Sequence, residues 1–324
     1  VLLDRIGTGR MAGVYKGRKG GQVVALKVLP PGKAKETETL ARFQREGRLA
    51  LRLKHPNVVR TFEFGQHDGL HFIAMECLEG ETLEDVLLRR DKLPPDEVTR
   101  LLRQALEGLQ HLHEQDVVHR DVKPANLVLV ADASDGKLEG TRHATLKTLD
   151  DGLGKTLFDD VSESQADLTG AGDLLGTAAC MAPEQARDAR RADIRSDLYS
   201  LGCVAYHALA GQPPFVDSNA TNVLMMHATR PPRPLREVDP AIPGVLAETV
   251  VRLLAKDPAQ RFATPRAAIQ SLAVSAGDRQ ADAQSAAPRS HEGRGRSRSI
   301  TRRRGSRRPS SARKISRGCQ TSPA

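Results

Sequence analysis

The chain has 324 residues, 39% of them apolar, which is enough for one large domain or two ordinary ones with a proper core and excludes wholesale disorder. Its net charge of +9 is uneven: of 49 basic and 40 acidic residues, positions 275–324 hold 13 and 3, leaving 36 and 37 in the first 274. A near-neutral folded part argues against a nucleic-acid-binding core, and the four scattered cysteines, Cys77, Cys180, Cys203 and Cys319, form no CxxC pair for a disulfide scaffold or zinc cluster.

Apolar runs such as Val23 to Leu29 are too short to cross a bilayer and no charged-then-apolar leader opens the chain, so a soluble, cytoplasmic protein is expected. The chain begins with Val and enters a strand pattern at once, which points to a start upstream of residue 1. Strands are predicted over Val1 to Ile6, Gly13 to Gly17, Val23 to Leu29, Val58 to Phe64 and Leu70 to Met75, each short, apolar-rich and bounded by turn residues. One helix interrupts them, over Thr37 to Leu53, with Leu40, Phe43, Gly47, Ala50 and Leu51 at helical spacing. From Leu83 the pattern turns helical. After Pro94 and Pro95, the residues Val98, Leu101, Leu102, Ala105, Leu109 and Leu112 form one apolar stripe, and Ser196 to Ala210 is a helix stopped by Gly211, Pro213 and Pro214. A small sheet with one helix followed by a larger helical body predicts an α+β, two-lobed architecture with a cleft between the lobes. After Val274 the composition shifts to Ala, Gln, Ser and Arg, as in GRGRSRSITRRRGSRRPSS, from which no core can be built.

Three segments carry chemistry. In IGTGRMAGVYKG, Gly7 and Gly9 would let a hairpin backbone approach a phosphate, although a glycine pair in a hairpin is also an ordinary turn. The glycines lead into a second strand and not a helix, which excludes a dinucleotide-binding crossover. In VVALKVL, strand alternation puts Ala25 and Lys27 on one face and Val24, Leu26 and Val28 on the other. Lys27 is either an edge-strand lysine reaching solvent or an ammonium held over a nucleotide phosphate and braced by Glu46. In VVHRDVKPANLVL, apolar strand-like residues flank a polar loop that gathers His119, Arg120, Asp121, Lys123 and Asn126, and coincidence is a poor explanation for that set.

With this loop, residues 1–274 resemble the protein kinase family, and specifically the bacterial serine/threonine kinases. LKHPNVV, AMECLEG, MAPEQ, RSDLYSLGCVAYHALAGQPPF and KDPAQRF are similar to further segments of that family. The resemblance implies a two-lobed kinase fold with an N-lobe at 1–78, shortened at its start, a C-lobe at 79–274, and a disordered basic tail at 275–324. It implies transfer of the γ-phosphoryl group of ATP, with Mg2+, to serine or threonine hydroxyls of protein substrates. Asp121 would orient the acceptor hydroxyl, Lys123 would neutralise the transferring group, Asn126 and Asp150 would hold magnesium, and Lys27 would grip the inner phosphates when paired with Glu46. Ile6, Val14, Ala25 and Val128 would sandwich adenine, the backbones of Glu76 and Leu78 would bond its edge, and Met75 would close the back of the cleft. Asp197 would be a buried acid and Arg261 would pair with Glu184. Lys123 and Thr177 favour serine or threonine as acceptor. Arg120 implies control by a phosphate on the activation segment, with Thr169 as the leading site and Thr156, Ser162 and Ser164 behind it; these hydroxyls could equally serve only to solvate a loop. Nucleic acid is expected at most on the basic tail, for which no specific function is favoured.

The sequence departs from the family pattern in three places. Ala12 stands where a third loop glycine is common, and the neighbouring Gly13 is expected to supply the missing backbone freedom. Ala131 to Leu146 is long, with a flexible hairpin tip around DASDGKLEG. The metal-binding motif reads LDDGLGK, so Asp151 falls where an apolar side chain normally packs against His119, and an unpaired buried carboxylate there costs on the order of several kcal/mol. This leaves a pseudokinase, a nucleotide-binding scaffold weakened by Asp151, as the alternative to an active enzyme, although Lys27, Glu46, Asp121, Asn126 and Asp150 are all retained. Asp151→Leu is expected to raise phosphotransfer; an equal or lower rate in a peptide phosphorylation assay would count against that role for Asp151.

Overall fold

A computed structural model of the chain describes residues 2–8, 12–131, 144–149 and 171–273. Gly9, Asp150, Asp151, Thr156, Ser162, Ser164, Thr169, the hairpin tip and the tail at 275–324 lie outside the described residues. The first strands are β1 (Leu2–Thr8), β2 (Gly13–Lys19), β3 (Gln22–Leu29), β4 (Thr61–His67) and β5 (Leu70–Glu76), in an antiparallel sheet of order β1-β2-β3-β5-β4. The β2–β3 hairpin turns on Gly20 and Gly21, whose φ values of 55° and 86° are the conformation a two-residue turn requires and side chains resist. Helix α1 (Thr37–Ala50) crosses the sheet, burying Phe43 with Ala12, Leu29 and Ile73.

The linker after β5 leads to β6 (Gly80–Thr82), α2 (Leu83–Arg90) and α3 (Pro95–Glu114). Thr82 caps α2 by accepting the Asp85 N–H at 3.1 Å. The polar loop then runs into β7 (Leu127–Ala131), which pairs on one edge with β6 and on the other with β8 (Ala144–Thr148), forming a second antiparallel sheet of three strands. The remaining helices are α4 (Ala171–Ala178), α5 (Pro183–Arg187), α6 (Ile194–Ala210), α7 (Ala220–Thr229), α8 (Leu235–Val238), α9 (Gly244–Leu253) and one at 265–273. α6 is buried along nearly its whole length and packs against the apolar stripe of α3, so it forms the spine of the larger core. Asp193 caps its start through the Arg195 N–H, and Gly211 ends it at φ 78°. Among the described residues no helix is long and apolar enough to cross a membrane.

The expected strand over Val58 to Phe64 starts only at Thr61, because Val58 and Val59 are drawn toward β8 instead. The Val59 N–H donates to the Thr148 carbonyl at 3.0 Å and the Thr148 N–H to the Asn57 carbonyl at 2.9 Å. The helix expected to reach Leu53 ends at Ala50 for a related reason, since Leu53 turns inward to the larger core. Gly13 does not supply backbone freedom. It has no positive φ, and an added Cβ would lie 2.8 Å from Tyr15 Cε2, so its role is to leave room for that ring. Ala12 is itself buried in the small core.

Gly47 lets α1 lie against β4, since a Cβ there would sit 2.5 Å from Phe64 Cδ2. Helix propensity favours Gly47→Ala by about 1 kcal/mol, whereas overpacking a filled contact costs about 1–3 kcal/mol. The clash is therefore expected to win, lowering the urea denaturation midpoint; a raised midpoint would show that Phe64 moves aside at no cost.

Candidate active site

Strand β3 lies inside the sheet, with Lys27 opposite Val14 on one side and Ile73 on the other, so its ammonium cannot escape over an edge. Lys27 is 6% exposed and Glu46, on the buried face of α1, 2%; the two form an ion pair. The alternative of a lysine reaching solvent is thereby excluded. Exposure on this strand runs against simple amphipathicity, since the lysine face is the buried one and Leu26 and Val28 are only half-buried.

Below the first sheet, the polar loop is held by a buried acid. Asp197, in the first turn of α6, accepts the backbone N–H of His119 at 2.8 Å and of Arg120 at 2.7 Å. Burial pushes its carboxyl up from the usual aspartate range, opposed by His119 and by those two N–H groups. Arg120 adopts φ 64°, a left-handed conformation that turns the chain sharply before Asp121. The His119 ring faces the Leu149 carbonyl at 2.7 Å, which can only accept, so Nε2 carries the proton and Nδ1 is left to accept the Asp121 N–H at 3.3 Å. The Asn126 amide donates to the Asp121 carbonyl at 2.8 Å and to Asp121 Oδ2 at 3.2 Å. Lys123 Nζ lies 3.2 Å from Asp121 Oδ2 and donates to Thr177 Oγ1 at 3.2 Å. The Leu149 N–H donates to the Asn126 carbonyl at 2.8 Å, so the residue before Asp150 is pinned from two sides.

Between the lobes lies a cleft of about 340 Å³, a size suited to a nucleotide-scale ligand. Ile6, Gly7, Val14, Ala25, Lys27, Glu46, Met75, Glu76, Leu78 and Val128 all line it, which brings together every expected nucleotide-contacting residue that the structure describes. Val59, Thr61, Thr82, Asp85 and Leu149 line it as well and were not anticipated. Three of these carry a signal: T-x-x-D at a helix start places Thr82 at the N-cap and Asp85 in the first turn of α2, and Leu149 adjoins Asp150. Thr61 and Val59 gave none, since only long-range strand pairing puts them there.

Among the described residues, one hard oxygen donor suited to a divalent cation stands at the site. The hydrogen bonds of Asn126 use its amide nitrogen, leaving the hard carboxamide oxygen as the group for a metal beside Asp121. Farther out, Arg261 donates to both oxygens of Glu184, at 2.6 and 2.9 Å, and Ser196 Oγ donates to the same carboxylate at 2.6 Å. Burial pushes the Glu184 carboxyl up, but these bonds outweigh it and hold it below the ordinary value. Gln185 donates to the Arg120 carbonyl at 2.7 Å, tying α5 to the catalytic loop. Burial pushes the Cys180 thiol up to about 12, with Asp121 adding to the effect, so it packs as a small neutral side chain.

The family model for the protein kinase domain matches residues 1–272. The chain belongs to the protein kinase family. This kinase domain is 37% identical over 267 residues to the serine/threonine-protein kinase pkn3 of Myxococcus xanthus, covering 81% of the chain and 47% of that relative. It is 34% identical to serine/threonine-protein kinase PknB of Mycobacterium leprae, covering 81% and 40%, and 30% identical to PrkC of Bacillus subtilis, covering 81% and 38%. The chain thus spans less than half the length of these curated relatives. Among solved structures it is similar to the Mycobacterium tuberculosis PknI kinase domain, with a TM-score of 0.62 and 28% identity, covering 84% of this chain and 94% of that one. The two-lobed α+β kinase fold expected from the sequence is the fold of the protein.

Arg261→Met would strand the Glu184 carboxylate, and breaking a buried pair from one side costs about 3–5 kcal/mol. Chemical denaturation is expected to show a loss of that size, partly recovered by adding Glu184→Gln. A loss below about 1 kcal/mol would mean that the pair contributes little.

Proposed function

We propose that this chain is the catalytic part of a serine/threonine protein kinase, transferring the γ-phosphoryl group of ATP to a protein hydroxyl. The observation that carries this reading is the buried Lys27–Glu46 pair in the wall of a nucleotide-sized cleft, whose lining residue Leu149 is hydrogen-bonded to Asn126 of the loop that gathers Asp121, Lys123 and Asn126. The lobe boundary falls at 78/79, with 275–324 as an appended basic tail, and the reaction belongs in the cytoplasm, where ATP is available.

Asp121 aims the acceptor hydroxyl and takes its hydrogen bond, so proximity and orientation are its main contribution. Lys123, 3.2 Å from that carboxylate, offsets negative charge on the transferring group. Its bond to Thr177 ties this lysine to the segment before α5, where a peptide substrate would lie, and supports a serine or threonine acceptor. Lys27 grips the inner phosphates, and Glu46 keeps its ammonium aimed into the cleft. Asn126 and Asp150 would hold magnesium, which supplies charge neutralisation between the phosphates. Adenine lies between Ile6, Val14, Ala25 and Val128, with Met75 behind it and Leu78 and Glu76 along its edge. The Glu76 N–H is already committed to the Arg60 carbonyl at 2.9 Å, so its own carbonyl is the group offered to the base. A phosphate on the activation segment, at Thr169 first of all, would complete the active arrangement through Arg120.

Incubated with magnesium, labelled ATP and a general protein substrate, the purified chain is expected to place label on serine or threonine. Asp121→Asn is expected to lower the rate by about 10²–10⁴-fold. Equal labelling by parent and variant would refute the reading.

A further inference from the structure

The linker between the lobes is held by an ion pair from outside the first sheet. Glu76 ends β5, and its Oε1 accepts two donors, the Arg60 backbone N–H at 2.8 Å and Lys147 Nζ at 2.8 Å. Lys147 belongs to β8 in the other lobe, opposite Val128, which lines the cleft, and three residues before Asp150. Both side chains are mostly shielded, Lys147 at 16% and Glu76 at 23% exposure, so the pair is less screened than one on the surface.

We propose that Lys147 is a positioning residue for the nucleotide: it fixes Glu76, and with it the linker carbonyl and amide groups that meet the adenine edge. This rests on the reading of the cleft as an ATP site. Without Lys147, Glu76 keeps, among the described residues, the Arg60 backbone N–H in its own lobe, and the linker must be ordered each time nucleotide binds. Contacts to adenine are equal in the ground state and the transition state, since the base does not react. Loss of this alignment therefore weakens binding and leaves turnover unchanged. A lysine that merely held β8 in place would behave in the opposite way, because β8 delivers Asp150, and disturbing the strand would reduce turnover.

The test pairs steady-state kinetics with direct titration of Mg–ADP. For Lys147→Met, the KM for ATP and the Kd for Mg–ADP are each expected to rise about five- to tenfold, with kcat within about twofold of the parent. Lys147→Arg should restore most of the affinity. Glu76→Gln should raise KM by a similar factor, and the double variant should be no weaker than either single one, because both break the same pair. Should Lys147→Met fail to fold, Glu76→Gln and Lys147→Arg carry the same comparison. An unchanged Kd in a variant of a parent that binds Mg–ADP, a kcat loss at constant KM, or additive losses in the double variant would overturn the inference. A parent that binds no nucleotide would overturn the reading of the cleft itself, and the inference with it.

Discussion

The catalytic geometry rests on a carboxylate that has almost no access to water. An ionised aspartate in such a place costs several kcal/mol, on the order of the net stability of many domains, unless its oxygens are satisfied. Asp197 meets that condition with two consecutive backbone N–H groups, those of His119 and Arg120, and with its place in the first turn of α6, where a helix favours an anion. Presenting two successive amides to one acid requires an unusual backbone, and Arg120 supplies it at φ 64°, a strain of roughly 1–2 kcal/mol. Because α6 is buried almost throughout, the anchor is rigid. Asp121, Lys123 and Asn126 inherit their direction from it.

The upper half of the site is anchored independently. Lys27 and Glu46 form a buried pair that an apolar pair of similar volume could replace at little cost to stability, so its presence points to chemistry rather than to folding. What registers one half against the other is a short stretch of backbone. Asn57 and Val59 exchange hydrogen bonds with Thr148, and the next residue, Leu149, is bonded to both His119 and Asn126. A single path of main chain therefore runs from the end of α1 to the catalytic loop.

The parts legible in the sequence were those encoded locally. The apolar stripe of α3, the stop of α6 at Gly211 and the five strands of the first sheet follow from spacing and turn residues, and the density of polar side chains in VVHRDVKPANLVL marks the site. The second sheet is not legible as a sheet in the sequence, although strand-like residues flank the polar loop. Strand β6 has three residues, and its partner lies more than forty positions away, so no local periodicity announces the pairing. Strand β3 shows the limit of amphipathic reasoning: alternation correctly separates Lys27 from Leu26 and Val28, but which face is buried depends on α1 lying over the lysine and supplying Glu46. The Glu76–Lys147 pair was invisible for the same reason, since each is an ordinary charged residue on a strand until two sheets are brought together.

A crystal structure with magnesium and a non-hydrolysable ATP analogue tests the account most directly. The account predicts Lys27 Nζ on the inner phosphates, the Asn126 carboxamide oxygen on a magnesium ion, and the purine edge against the Glu76 carbonyl. A triphosphate lying away from Lys27 and Asn126, with the Asp197 anchor intact, would contradict it.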